Sequence, residues 1–311
     1  ISLIVSCLVL LTKASAYFFT DSTAILSDAL ESIVNVLAAA VAMGVIRYVS
    51  RPAGPDHPYG KGKVEFFSSA FEGGLILFAA CVIAVESTLA LIRGSQPRSL
   101  DLGVGLMAVA GLINLALGLY LKWIGKKTNS AALAASGTHV LSDFWTSLGV
   151  LIGLGLMFIT GANWIDPLIA ILVTIQLGFS GYKIVSESFG ALLDARDMDV
   201  LEELRQSLVK FRHSAIIEVH NLRAVRSGNF HHIDAHVVVP QFWDVLKAHD
   251  DTIAFEKKIV ADYRFDGEIA FHVDPCEKLY CRNCSYEPCN IRIEKFVELK
   301  PITIESLIDN P

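Results

Sequence analysis

The chain has 311 residues, 53% hydrophobic and 19% charged, with a net charge of −6 at neutral pH and a positive mean hydropathy. That balance is too apolar for an ordinary soluble protein and points to a membrane; no nucleic-acid partner is expected. Charged residues are scarce in the long apolar stretches of the first 190 positions and frequent after Ser186, which predicts two parts.

A hydrocarbon core of roughly 30 Å needs about 20 apolar residues as a helix. Six runs meet that need: Ile1–Thr20, Thr23–Val49, Glu65–Arg93, Leu102–Trp123, Ala131–Thr160 and Trp164–Ser186. The first run contains Lys13 and is long for a cleaved signal peptide, so it is read as a span, with a short native N-terminus expected before residue 1. Arg47, Arg51, Lys61 and Lys63 mark the second connection, and Lys122, Lys126 and Lys127 the fourth. The third carries only Arg93 and Arg98, and the first and fifth carry no Lys or Arg. The positive connections are expected to face the cytoplasm, so both termini of a six-span, multi-pass protein should lie there too.

The second span reads "SDALESIVN" at residues 27–35, polar within an apolar run. Asp28, Glu31 and Asn35 stand at i, i+3 and i+7, on one helical face. A charged residue at the bilayer centre costs at least ~2.5 kcal/mol on insertion scales and faces a partner or water. A capping or interhelical hydrogen-bond cluster is the bland explanation. The fifth span supplies a sharper one, because His139 and Asp143 are also i and i+4. Two such pairs on facing helices can close four ligands around one divalent transition-metal ion near mid-membrane, with zinc the commonest four-coordinate case. Asp28 would add charge from one turn away. Imidazole and carboxylates must lose protons to bind metal, so such a site is coupled to protons.

After Ser186 the pattern changes to a small α+β domain. A helix is expected near Met198–Phe211, strands near Ile216–Val225 and His231–Val239, a helix near Phe242–Tyr263 and a strand at Glu268–His272. The order αββαβ suits a two-layer sheet with helices on one face. The expected divisions are 1–190 for the six-span transmembrane domain, 191–275 for the cytoplasmic domain and 276–311 for a Cys-rich tail. In the tail Cys276, Cys281, Cys284 and Cys289 are closely spaced, and in a reducing cytoplasm such thiols more often bind metal than form disulfides. Four thiolates fit zinc; the first three also resemble an iron–sulfur spacing, but the fourth follows too soon.

These residues together resemble the cation diffusion facilitator family, in its bacterial zinc/iron branch. The resemblance spans residues 1–275 and rests on the paired polar positions of the second and fifth spans, on "HPYGKGKVEFFSS" at His57–Ser69 and on "FHVDPC" at Phe271–Cys276. It implies a homodimer of the bacterial inner membrane, six lipid-embedded spans and a ferredoxin-like cytoplasmic domain, exporting divalent metal against protons. It further implies a cytoplasmic metal site at His220, His249, His272 and Asp274, with His236 in a strand beside them. Two departures stand out. Asn35 removes one ionisable group relative to a double-carboxylate pair, so iron, manganese, cobalt or cadmium stay open beside zinc. Lys61 stands where a second loop histidine would be, so His57 is read as part of a turn with Pro58 and Gly60. With no His-Glu-x-x-His and no nucleophile placed beside a base, an enzyme is not expected. A membrane-anchored metal sensor remains the alternative.

Overall fold

The computed structural model describes residues 2–49, 54–94, 100–127 and 131–309. Arg51 and Arg98, used above for orientation, lie outside them. The chain forms two compact units, one of residues 1–48 and 67–189, the other of 49–66 and 190–311.

The first unit is helical: α1 (Ser2–Thr20), α2 (Thr23–Val49), α3 (Val64–Arg93), α4 (Leu100–Lys127), α5 (Ala131–Thr160) and α6 (Ile165–Leu192). By length and composition α2 to α6 each suffice to cross a membrane, and α1 adds a shorter apolar stretch, Ile4–Thr20. The helix α6 runs past the expected end at Ser186, because Ser-Glu-Ser interrupts hydropathy without interrupting the backbone ladder; the Ser188 hydroxyl donates back to the Ile184 carbonyl at 2.7 Å. Small residues let helices approach closely. A Cβ at Gly137 in α5 would fall 2.6 Å from the Lys122 nitrogen and 2.9 Å from the Gly118 carbonyl oxygen of α4. That contact explains the glycine two positions before His139. Ala16, Ala24, Ile25, Met107, Val150, Leu154 and Met157 form a core shared by α1, α2, α4 and α5.

The start of α2 is held from a distance. Asp21 takes a left-handed φ of 52° to turn the chain out of α1, and the first amides of α2 then meet Asp166, in the first turn of α6. The Asp166 carboxylate, fully buried, accepts from the Thr23 amide and hydroxyl at 2.9 Å each, from the Ala24 amide at 3.2 Å and from the Ser22 hydroxyl. A helix N-terminus needs such acceptors, and here a carboxylate 143 residues away supplies them.

The second unit follows the order α7 (Met198–Phe211), β1 (Glu218–Ser227), β2 (Phe230–Val239), α8 (Val245–Asp262) and β3 (Asp266–Pro275). This is the αββαβ order expected from the sequence, with β3 longer than predicted. The sheet order is β1-β2-β3, with β1 antiparallel and β3 parallel to β2. Asp197 caps α7 and Asp244 caps α8 through side-chain acceptors. The core joins Leu204 and Leu208 of α7, Ile233 and Val237 of β2, and Phe255 and Ile259 of α8. Ile302 and Leu307 enter the same core from the tail, Leu307 through a short α9 (Ile304–Ile308) started by a Thr303/Ser306 capping box. In the loop at 54–63, Gly60 adopts a positive φ of 76°, and a Cβ on Gly62 would lie 2.0 Å from the Ser227 carbonyl oxygen. The glycines of "HPYGKGK" are thus explained by a turn and a close backbone approach.

Candidate metal centre

In the helical unit the polar face of α2 meets that of α5. Asn35 Nδ2 donates to Asp143 Oδ2 at 2.9 Å, linking the two i,i+4 pairs. Glu31, Asn35 and Asp143 are half-buried and His139 is exposed. The Thr146 hydroxyl lies within hydrogen-bond reach of Glu31 and donates to the Asp143 backbone carbonyl at 2.9 Å.

Asp28 differs from its neighbours. The sequence reading counts it with the ligands, but its buried carboxylate is engaged by Lys13 Nζ at 2.9 Å, and the Ser147 hydroxyl lies within 2.9 Å of both its oxygens. Lys13 is 1% exposed and Asp28 2%. A paired carboxylate is not spare charge. With Asp28 paired to Lys13, the carboxylates left without a lysine partner on this face are those of Glu31 and Asp143. Lys13 and Ser147 were not legible as members of this face; a lone Lys in an otherwise apolar helix was the signal for the first.

In the second unit a row of histidines crosses the sheet. His220 of β1 registers with His236 of β2, which registers with His272 of β3. The ring centroids of His220 and His236 are 5.2 Å apart, and those of His236 and His272 4.6 Å. Asp274 collects all three: Oδ2 lies 2.9 Å from His236 Nδ1 and 3.6 Å from His220 Nε2, and Oδ1 lies 3.3 Å from His272 Nε2. Among the described residues, three metal-ligating side chains converge within 4.8 Å of one another only at His220, His236 and Asp274. Burial, helped by the neighbouring His236, holds His220 below the usual imidazole range, so the ring favours its neutral, ligating form. Its Nδ1 is buried without a hydrogen-bond partner. The converging donors of His220, His236 and Asp274 fit a divalent cation.

His249 is not brought there. It sits on α8, where it lines a groove with Phe271 and Val273. Those residues alternate along β3 with His272 and Asp274, and alternation puts the two sets on opposite faces. The remaining domain histidines have other partners: His213 lies 3.2 Å from Asp251, His232 2.8 Å from Glu268, and His231 bonds Tyr263 in the core. His57 lies in the loop turn and joins no metal-ligand cluster among the described residues. Cys276, Cys281, Cys284 and Cys289 line one cavity of about 320 Å³, more openly spaced than the histidine cluster.

The amino-acid sequence matches the cation efflux transmembrane domain over residues 1–193 and the cytoplasmic domain of cation efflux proteins, a dimerising module, over residues 197–276. An uncharacterized transporter of Synechocystis sp. is 35% identical over 269 residues, covering 85% of each chain. The cation-efflux pump FieF of Salmonella newport is 28% identical over 270 residues, 86% of this chain and 88% of that one. Metal tolerance protein C1 of Arabidopsis thaliana is 28% identical over 281 residues, 85% of this chain and 59% of its own length. The matched domains, with apolar helices followed by a small mixed-sheet domain, define a multi-pass membrane transporter. The chain belongs to the cation diffusion facilitator family of cation efflux transporters.

Proposed function

We propose that this protein exports a divalent transition-metal ion, zinc first, in exchange for protons across the bacterial inner membrane, working as a homodimer with both termini in the cytoplasm and catalysing no chemical conversion. The transported ion would be held by Glu31, Asn35, His139 and Asp143, with Asp28 serving the fold through Lys13. The observation that carries this reading is the Asn35–Asp143 bond, which ties the two pairs of α2 and α5 into one polar face. With Nδ2 donated to Asp143, Asn35 retains its carbonyl oxygen for the ion. Two carboxylates, one imidazole and one amide oxygen suit zinc, while iron, manganese, cobalt and cadmium compete for the same donors. Protons returning to His139, Glu31 and Asp143 displace the ion, so metal leaves where protons are plentiful. The cytoplasmic His220, His236, His272 and Asp274 would hold a second, resident divalent ion.

The test is flux in proteoliposomes with internal metal and pH read together, across that panel of ions. Zinc movement should be accompanied by opposite proton movement and accelerated by an acidic receiving side. His139→Ala and Asp143→Ala should each abolish flux while leaving a folded protein. Zinc flux indifferent to the proton gradient would refute exchange, near-normal flux in His139→Ala would refute the site, and metal binding without flux would identify an anchored sensor.

A further inference from the structure

The stretch between Pro275 and Ile304 has no regular structure beyond a short 3₁₀ turn, Lys278–Asn283. Loops of that length inside a compact domain need a reason to hold one conformation. Ile302 anchors its far end in the core; nearer Pro275, Cys284 meets Ile217 and Val238, flanked by Cys276 and Tyr280, and Tyr286 packs against Phe242 and Trp243. We propose that Cys276, Cys281, Cys284 and Cys289 bind a single zinc ion as a tetrathiolate site that fastens this loop to the sheet, separate from the transported ion.

The fold brings the four cysteines to one place. They line one cavity together with Lys278, Arg292 and Glu277, and Arg292 is also paired with Glu287 at 3.3 Å. The Gln241 amide points at Cys276 Sγ from 3.4 Å, a donor to a ligating sulfur. Arg292 fixes the loop from within, donating to the carbonyls of Cys281 at 3.2 Å, Cys284 at 2.9 Å and Tyr286 at 2.9 Å. The sulfurs stand more openly than the histidine cluster, so binding draws residues 276–289 in around an existing cavity. Thiolate donors are softer than the histidine, carboxylate and amide donors of α2 and α5, and they retain zinc by a different preference. The site therefore stays filled while the transported ion turns over.

The experiment uses the full chain in detergent, reduced and stripped of metal, with His220→Ala/His236→Ala as a background that removes the histidine cluster. Cobalt(II) titration should raise thiolate-to-cobalt charge-transfer absorption and tetrahedral visible bands, both lost in Cys281→Ser/Cys284→Ser. In the unsubstituted chain, which keeps the proposal testable if the variants misfold, zinc should slow the reaction of these thiols with a disulfide reagent by about an order of magnitude. Cobalt bands without thiolate character would overturn the site, as would thiols that zinc does not protect. Iron–sulfur absorption in the protein as purified would replace zinc by a cluster. Thiolate-to-cobalt bands retained in His139→Ala/Asp143→Ala would support the tail site whatever that variant does to flux, so the two assignments fail separately.

Discussion

At the scale of single residues, the pair Lys13–Asp28 sets the character of the polar face. Both groups are almost wholly buried, and their 2.9 Å contact is supported by Ser147. Two charges taken out of water are tolerable together and costly apart: removing one partner of a buried pair typically costs 3–5 kcal/mol. Lys13→Met should therefore lower the thermal unfolding temperature of the purified protein sharply, and Lys13→Met/Asp28→Asn should recover most of the loss because no lone charge remains. A Lys13→Met protein as stable as the parent would show that Asp28 finds its counter-charge elsewhere. The spacing of Asp28, Glu31 and Asn35 was legible because a helix repeats every 3.6 residues. The pairing was not, because Lys13 and Asp28 lie on different helices and no periodicity within one helix reports what faces it.

At the scale of elements, two contacts made across long stretches of chain carry measurable consequences. Asp166 receives the first amides of α2, and hydrogen bonds to a charged acceptor contribute about 1.5–3 kcal/mol each. Asp166→Ala should destabilise the helical unit by about 3 kcal/mol or more, with the loss of protection in hydrogen exchange concentrated in the first turn of α2. Uniform loss across all helices would point to a different role for the carboxylate. In the second unit, His231 is fully buried and its Nδ1 meets the Tyr263 hydroxyl. Burial foremost, then the nearby Arg226, holds its imidazole below the usual value of 6.5. As pH falls below that value the unfolded chain takes up the proton first. Stability is thus complete above about 6.5 and declines toward the folded value, where the loss levels off. His231→Gln should flatten part of the acid decline in urea midpoint; an identical pH profile would remove His231 from it. The strands and helices of this unit were readable from alternation and amphipathic period. The histidine row was only half readable, since a strand's own sequence does not give its register against a neighbour, and the resemblance grouped His249 with residues that β3 turns to the other face.

At the scale of the molecule, composition alone separated an apolar first part from a charged second one, because burial in lipid and burial in a water-facing core demand different sequences. What composition missed is how the chain closes. Ile302 and Leu307 complete the core of the second unit, while the Asn221 amide donates to the Asp309 carbonyl at 3.0 Å and Arg212 to that of Lys300 at 2.8 Å. A five-residue helix gives too short a pattern to be read. Leu307 is fully buried, and Leu307→Ala should cost about 2–5 kcal/mol of domain stability, seen as faster hydrogen exchange along β1. Exchange unchanged from the parent would mean the tail rests on the domain without supporting it.

The carboxylate of Asp166 also imposes an order on biosynthesis. Ribosomes deliver about 5–20 residues per second, so the 143 residues between Thr23 and its acceptor take roughly 7 to 30 s to arrive. Throughout that interval the nascent second helix has its leading amides without the acceptor that will finally hold them. The hairpin of the first two helices is therefore a provisional structure, and insertion of the sixth helix is the event that locks it.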